Sequence, residues 1–452
     1  MNQSISALLA TLAVLASPAA AQNTSSSEQV AQGPPPAWAK PSDPLPLPAD
    51  ASGLMFVRAQ DVIIHLDAKG QSTYLSERVV LLQPQALQAG NIALAWNPAA
   101  GTPIVHAIKV HRGSETIDVL KTAKFEILRR EDQLEAAMIT GTLTAVLKVP
   151  DLRVGDELEV SYTLPSGDPT LKDQNAGALM ILPSPPPGRY HIGLNWEPGE
   201  EPRVSPTDDL AGKLQRTGSE VDFRVDNPPT ITLPKDAPPR YAWQRLIEFT
   251  HFSGWPAMSQ RFASLFAQAA KLPADSPLKQ EAARIADEKA DQLGRAQEAL
   301  KLVQQQVRYI YVGLDGGNYL PATADQTWQR RYGDCKAKTV LLLALLNELG
   351  IPAEAVLVQE KNSDDGFNTR LPNPGLFDHV LVRARIEGKR YWLDGTLPAV
   401  ATPSTAPDFH YRWVLPLTAD GHDLESVAWS PTTKPDELNL YEIDARAGLD
   451  KP

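Results

Sequence analysis

Cysteine is almost absent: the 452 residues hold one, Cys335. A single thiol cannot close an internal disulfide, so no covalent staple supports the fold. Positive charge is also short. Lys+Arg number 43 against 54 Asp+Glu, giving 43 − 54 = −11, and no Lys/Arg-rich block interrupts the acidic balance. That balance excludes a nucleic-acid binder working by phosphate neutralisation. The sequence has no glycine-rich phosphate loop and no repeat of fixed period, which sets aside nucleotide-binding loops and solenoids. After the first two dozen residues no run is apolar enough to cross a bilayer, so the mature chain is expected to carry no transmembrane segment.

The one notable apolar run lies at the start. Ile5–Ala16 is too short to span a membrane. It ends in Ser17-Pro18-Ala19-Ala20-Ala21, where Ala19 and Ala21 fit an A-x-A cleavage site. Only the terminal amine supplies positive charge ahead of it. The pattern predicts a signal peptide over 1–21 and an exported chain, periplasmic or extracellular, cleaved near Ala21. With no cysteine beside the cleavage point, lipid attachment there is excluded. In an oxidising compartment a lone thiol is conspicuous.

The length exceeds one ordinary core, so two or three domains are expected. Residues 22–51 are rich in Pro, Ser, Gln and Ala and read as an extended linker. From 52 to 235, short alternating runs are divided by turn residues. Met55–Leu66 and Ser72–Leu82 read as a hairpin through Asp67-Ala68-Lys69-Gly70; Ile104–Val110 and Thr116–Leu120 read as another. Leu143–Val149, Leu158–Thr163 and His191–Trp196 continue the series toward an antiparallel β-sandwich. No cluster of His, Cys and carboxylates stands out there, so this half reads as a binding or scaffolding domain.

A proline-rich seam from Asp226 to Pro239 marks the boundary, and 236–400 reads as a second, α+β unit. It opens with a strand, Tyr241–Thr250, and helices over Pro256–Leu272 and Leu278–Tyr309. A loop with Gly313, Gly316, Gly317 and Pro321 leads on to the cysteine. Residues 401–452 form a C-terminal extension, with Leu438–Ala445 reading as the opening strand of a further β-domain.

Gly333-Asp334 is a good helix start: Asp334 can accept from the first free N–H groups, and glycine permits a sharp entry. Thr339–Leu349 is apolar on nearly every face and stops at Gly350 and Pro352. Cys335 therefore falls in the first turn of a buried helix, where unpaired N–H groups and the dipole stabilise a thiolate and could bind an oxyanion. Further on, Leu376–Val382 reads as a strand with Val380, Val382, Ala384 and Ile386 on one face and His379 on the other. A two-residue turn at Glu387-Gly388 makes paired positions sum to 775, so His379 opposes Thr396 and Asp394 is its diagonal neighbour. Thiol, imidazole and carboxylate are the parts of a Cys-His-Asp acyl-transfer site. The same three residues fall short of a zinc site in ligand count and spacing. The bland alternative for Cys335 is a small buried hydrophobe.

Val307-Arg308-Tyr309, Tyr319-Leu320-Pro321, Arg331-Tyr332-Gly333-Asp334-Cys335-Lys336, Phe377-Asp378-His379 and Tyr391-Trp392-Leu393-Asp394-Gly395-Thr396 together resemble the transglutaminase-like superfamily. The resemblance extends to its bacterial exported group, in which the core follows a DUF3857 domain. It spans about 240–400, with 52–235 similar to DUF3857 more loosely. Ala337-Lys338 stands where family members often have Asp-Lys. The resemblance implies a papain-like α+β core, with Cys335 as nucleophile, His379 as general base and Asp394 as orienting carboxylate. It also implies a protein or cell-wall peptide substrate and no metal or organic cofactor. The sequence does not identify a second oxyanion donor; the loop between Gln306 and Gln329 is one candidate source. The rival expectation is a non-catalytic envelope scaffold that keeps the fold.

Overall fold

The computed structural model describes residues 29–129, 142–168, 170–171, 174–310, 319–361, 364–399 and 411–428, with 439–442, 446 and 448 beyond them. The expected signal peptide, and Gly313, Gly316 and Gly317 of the loop before the cysteine, lie outside the described residues.

The N-terminal half is built on the hairpin Met55–Asp67 and Gly70–Leu81. Asp67 pairs with Gly70, leaving Ala68-Lys69 as a two-residue turn, and Gly70 takes a φ of 126° that side chains resist. Glu157–Pro165 and Ile104–Arg112 extend the sheet on one side, and Gly188–Trp196, Glu220–Asp226 and Gln215–Thr217 on the other. A second sheet of Asn91–Trp96, Leu143–Lys148 and Glu126–Arg129 shares its core: Ile92, Leu94, Trp96 and Leu147 are buried with Val57, Leu66 and Val79. The pairing is antiparallel apart from two contacts, Ala31–Gln32 along Ile104-Val105 and Gly188–Trp196 along Met55–Asp67. The second is parallel because the chain crosses over through another sheet before it returns.

Residues 29–50 are extended, as their prolines dictate, but they are not a free linker. Trp38 stacks on His65 with ring centroids 4.8 Å apart, the Ser42 N–H donates to Asp61 (2.8 Å), and the Leu45 N–H donates to Arg58 O (2.8 Å). A segment with few N–H groups can still lie on a sheet when each finds an acceptor.

Leu246–Thr250, expected to open the second unit, sits between Ala176–Met180 and Arg203–Pro206 in a three-stranded sheet. Ile247 and Phe249 are buried in the N-terminal core. The strand thus pairs with elements of the N-terminal half although it follows the proline seam. Across the seam, Arg370 Nε donates to Glu248 (2.6 Å) and Thr250 Oγ1 donates to Pro372 O (2.8 Å).

The second half carries helices α1 (Trp255–Ala269), α2 (Pro277–Glu288), α3 (Gln292–Gln306), α4 (Ala324–Arg330) and α5 (Cys335–Glu348). The single helix expected over 278–309 is two, because Asp291 caps α3 by accepting from the Gly294 N–H (2.8 Å). Its expected end is instead the short strand Arg308–Tyr309, parallel to Tyr332–Gly333. Part of the expected loop is α4, started by a capping box of Thr323 and Gln326. Every residue of α5 from Cys335 to Leu346 is buried. It packs on an antiparallel sheet ordered Lys389–Leu393, His379–Ile386, Ala353–Val358, Trp413–Pro416, Glu425–Ser426. Val380, Val382, Ala384 and Ile386 face the α5 core, and Thr339 Oγ1 donates to Val380 O (3.0 Å).

The last two of those strands belong to the 401–452 tail, so the tail's described strands extend the core sheet. Ser259 on α1 fastens them, donating to Pro416 O (2.6 Å) and accepting from the Thr418 and His422 N–H groups. Of Leu438–Ala445 only 439–442 are described, and they form no strand.

Candidate active site

Cys335 is the first residue of α5 and has no exposed surface. The approach to it is tightly shaped. A Cβ at Gly333 would lie 2.6 Å from the Ala337 Cβ, so no other residue fits without moving the helix start. Asp334 caps the helix by accepting from the Ala337 N–H (2.9 Å), and its other oxygen pairs with the buried Lys336 ammonium.

The hairpin carrying His379 and Asp394 has the register set by its turn. Ile386 pairs with Lys389 and Val382 with Leu393, while Glu387 (φ 49°) and Gly388 (φ 79°) take the left-handed angles of a type I′ turn. The first strand begins at His379, since Pro374–Leu376 forms a 3-10 turn where the sequence suggests strand. Asp394 follows the last residue of the return strand, and its Oδ2 lies 2.9 Å from His379 Nε2. Its Oδ1 accepts from the Thr396 N–H (2.7 Å) and hydroxyl (2.6 Å), which fixes the carboxylate's rotation. Gln304 Nε2 donates to the Asp394 carbonyl (3.0 Å), tying the hairpin to α3.

Burial works against a charged imidazole at His379, but hydrogen bonds to Asp394 and then Cys335 outweigh it and hold its pKa well above the usual value. Burial likewise pushes Asp394 up, and the imidazole and Thr396 more than reverse it, leaving the carboxyl below its ordinary range. With Nε2 committed to Asp394, Nδ1 is the nitrogen left for the sulfur. The arrangement can hold a charged imidazole between the carboxylate and the sulfur.

Sequence reasoning missed several neighbours. Lys338, one turn along α5, donates to Val307 O (2.6 Å), and burial pulls its pKa down to about 8 against the opposing charge of Asp394. Glu360 Oε1 comes within 3.6 Å of His379 Nε2. Among the described residues, Glu360, His379 and Asp394 are the one trio whose donor atoms, all within 4.8 Å of one another, could hold a metal ion. Thr396 was within reach of sequence reasoning, standing two residues after a carboxylate; Gln304 and Glu360 come from elements whose packing no local pattern reveals. The loop that is the candidate source of a second oxyanion donor falls partly on residues 311–318, outside the described residues.

The N-terminal half does gather a polar cluster, contrary to expectation. His191 Nδ1 lies 2.9 Å from Asp61 Oδ1 and Nε2 lies 4.0 Å from Asp222, all three buried. They come together because Gly188–Trp196 runs parallel to Met55–Asp67, with His191 opposite Asp61.

Residues 279–395 match the Transglutaminase-like superfamily, and residues 67–245 match DUF3857, a domain of unknown function with solved structure. The chain therefore joins a DUF3857 domain to a transglutaminase-like core. A crystal structure of a presumed protease from Parabacteroides distasonis ATCC 8503 is similar over 84% of this chain and 73% of its own, with 16% identity and a TM-score of 0.62. Likeness at that identity speaks for the fold. A presumed cysteine protease from Cytophaga hutchinsonii aligns at 13% identity over 81% of this chain and 93% of its own, with a TM-score of 0.20. The periplasmic domain of TgpA from Pseudomonas aeruginosa aligns at 13% identity over 67% and 92%, with a TM-score of 0.21. Neither of these two carries further argument. No curated protein matches the chain.

Proposed function

We propose that the chain is an exported cysteine-dependent acyl transferase or hydrolase acting on amide or peptide bonds. The observation that carries this reading is the 2.9 Å contact between Asp394 and an imidazole whose other partner is a thiol at a helix start. His379 Nδ1 takes the Cys335 proton, and the thiolate adds to the substrate carbonyl. The Cys335 N–H at the start of α5 donates to the oxyanion. The tetrahedral adduct collapses to a thioester as the imidazolium gives its proton to the departing amine. Water or a second amine, deprotonated by His379, then releases the acyl group and restores the thiol. Asp394 holds the tautomer and the charge throughout. Export rests on residues 5–21 alone.

The test is to incubate the protein with periplasmic extract, quench in acid, and search Cys335 by peptide mass spectrometry. The expected result is an acyl adduct that hydroxylamine removes and that His379→Ala does not form. Absence of any adduct, with Cys335 no more reactive at pH 6 than a model thiol, would refute the reading. One observation favours the scaffold alternative: Cys335 is fully covered and His379 is 2% exposed. That alternative fails if Cys335→Ala removes an activity while melting and partner capture stay unchanged.

A further inference from the structure

A cleft of about 590 Å³ lies between the two halves of the molecule, apart from the thiol. The N-terminal wall includes Gln71 and Thr73 of the Gly70–Leu81 strand together with Asn175, Ala176 and Gly177. The opposite wall is Tyr319, Asn373 and Gly375 of the transglutaminase-like core. The volume is that of an ordinary ligand site.

Three observations say what fits there. Asn175 is 5% exposed, yet its Nδ2 has no hydrogen-bond partner among the described residues. A buried donor without an acceptor is rare in a folded protein and marks a place where an acceptor arrives. Next, Ala176 and Gly177 begin the strand Ala176–Met180, which pairs with Leu246–Thr250 on one side and, among the described residues, with no strand on the other. A free edge of this kind accepts an extended chain through its backbone. Finally, the lining includes no Lys or Arg and one carboxylate, Asp168, beside amides and hydroxyls. Such a wall disfavours an anionic ligand and suits neutral amides.

One wall of the cleft is also close to His379 along the chain. Gly375 belongs to the turn Pro374–Leu376, which runs into Phe377-Asp378-His379, and four residues span at most about 14 Å. An extended peptide of four or five residues covers that distance. We infer that the cleft seats an uncharged, extended stretch of the acyl-donor polypeptide, which adds to the Ala176–Met180 edge and offers a carbonyl to Asn175. The inference rests on the acyl-transfer reading and assigns to the DUF3857 half a share in substrate selection.

The test uses the full-length mature chain carrying Cys335→Ala, so that binding is read without chemistry. Random heptapeptides displayed on phage are selected against it, and the winners are synthesised with a fluorophore for anisotropy. The expected result is that Asn175→Leu, which keeps the side-chain shape and removes the donor, weakens binding at least tenfold. Ala100→Trp, which fills the cleft from a half-buried wall position, abolishes it and serves as the independent check if Asn175→Leu melts early. The inference is overturned if no peptide binds below millimolar concentration, if the winners bind all variants alike, or if soluble muropeptides bind the cleft where linear peptides do not. An adduct on Cys335 with no cleft binding sinks this inference alone; cleft binding with no adduct sinks the catalytic reading and leaves the cleft.

Discussion

Replacing Asp394 with Asn tests the site's central electrostatic claim. The substitution keeps the side-chain volume and can keep the Thr396 bonds to Oδ1, but it removes the charge 2.9 Å from His379 Nε2. Burial opposes the imidazolium, and beside Asp394 only the contribution from Cys335 sustains it from within the site. Glu360 is nearby at 3.6 Å but half exposed, and solvent screens it. A hydrogen bond to a charged group contributes about 1.5–3 kcal/mol. At about 1.4 kcal/mol per factor of ten, the thiolate–imidazolium population falls roughly 10- to 100-fold. The assay is alkylation by iodoacetamide, and the single cysteine means all incorporated label reports on Cys335. Because the sulfur is fully covered, absolute rates also contain an access factor. The ratio of rates at pH 6 and pH 9 cancels that factor, since the same covered sulfur is read at both. The expected outcome is a 10- to 100-fold lower ratio in Asp394→Asn, with the pH 9 rate changed no more than about threefold. An unchanged ratio, or a parent protein whose ratio matches a free thiol of pKa about 8.5, would refute the reasoning.

Lys338 supplies a stability signature with a definite sign. Its folded pKa is lowered to about 8 from 10.5 by burial, so between those values the unfolded chain holds a proton the folded one has lost. Stability should therefore rise with pH across that window by about 3 kcal/mol and be insensitive to this group below it; urea titrations of the parent and Lys338→Met check it, and equal slopes would remove the claim. Arg370 and Glu248 form a buried pair across the seam, so Arg370→Met should cost about 3 kcal/mol by stranding the carboxylate. Burial already raises Glu248 against the pull of Arg370; adding Glu248→Met should recover most of the loss, and failure to recover would mean the pair is not what joins the halves. Gly333→Ala drives a Cβ to 2.6 Å from Ala337, which should cost about 1–3 kcal/mol and lower the pH 6 alkylation rate by displacing the α5 start. Parent-like melting and alkylation would show that the start can yield.

What the sequence made legible follows from how local the controlling interactions are. The α5 start could be read because glycine, aspartate and cysteine are adjacent and the cap acts over three residues. The spacing of His379 and Asp394 could be read because a two-residue turn fixes the register of everything beyond it, and Ile386 does pair with Lys389. The pairing of Leu246–Thr250, the tail strands and the Asp61–His191 contact share the opposite property. Leu246–Thr250 is chosen by partners 74 and 47 residues earlier, Ala176 and Arg203, both opposite Thr250; Trp413–Pro416 by Val356 and Leu357; His191 by a parallel strand 130 residues back. No periodicity in a single strand names its neighbour, because an alternating face is compatible with any partner of matching polarity. The same fact explains why a cleft at the seam was invisible. Its walls come from both halves, and the atom that marks it, Asn175 Nδ2, is conspicuous only once the chain around it is folded. A local motif can therefore locate a candidate site in such a chain, while a cleft between its halves is written in long-range pairing.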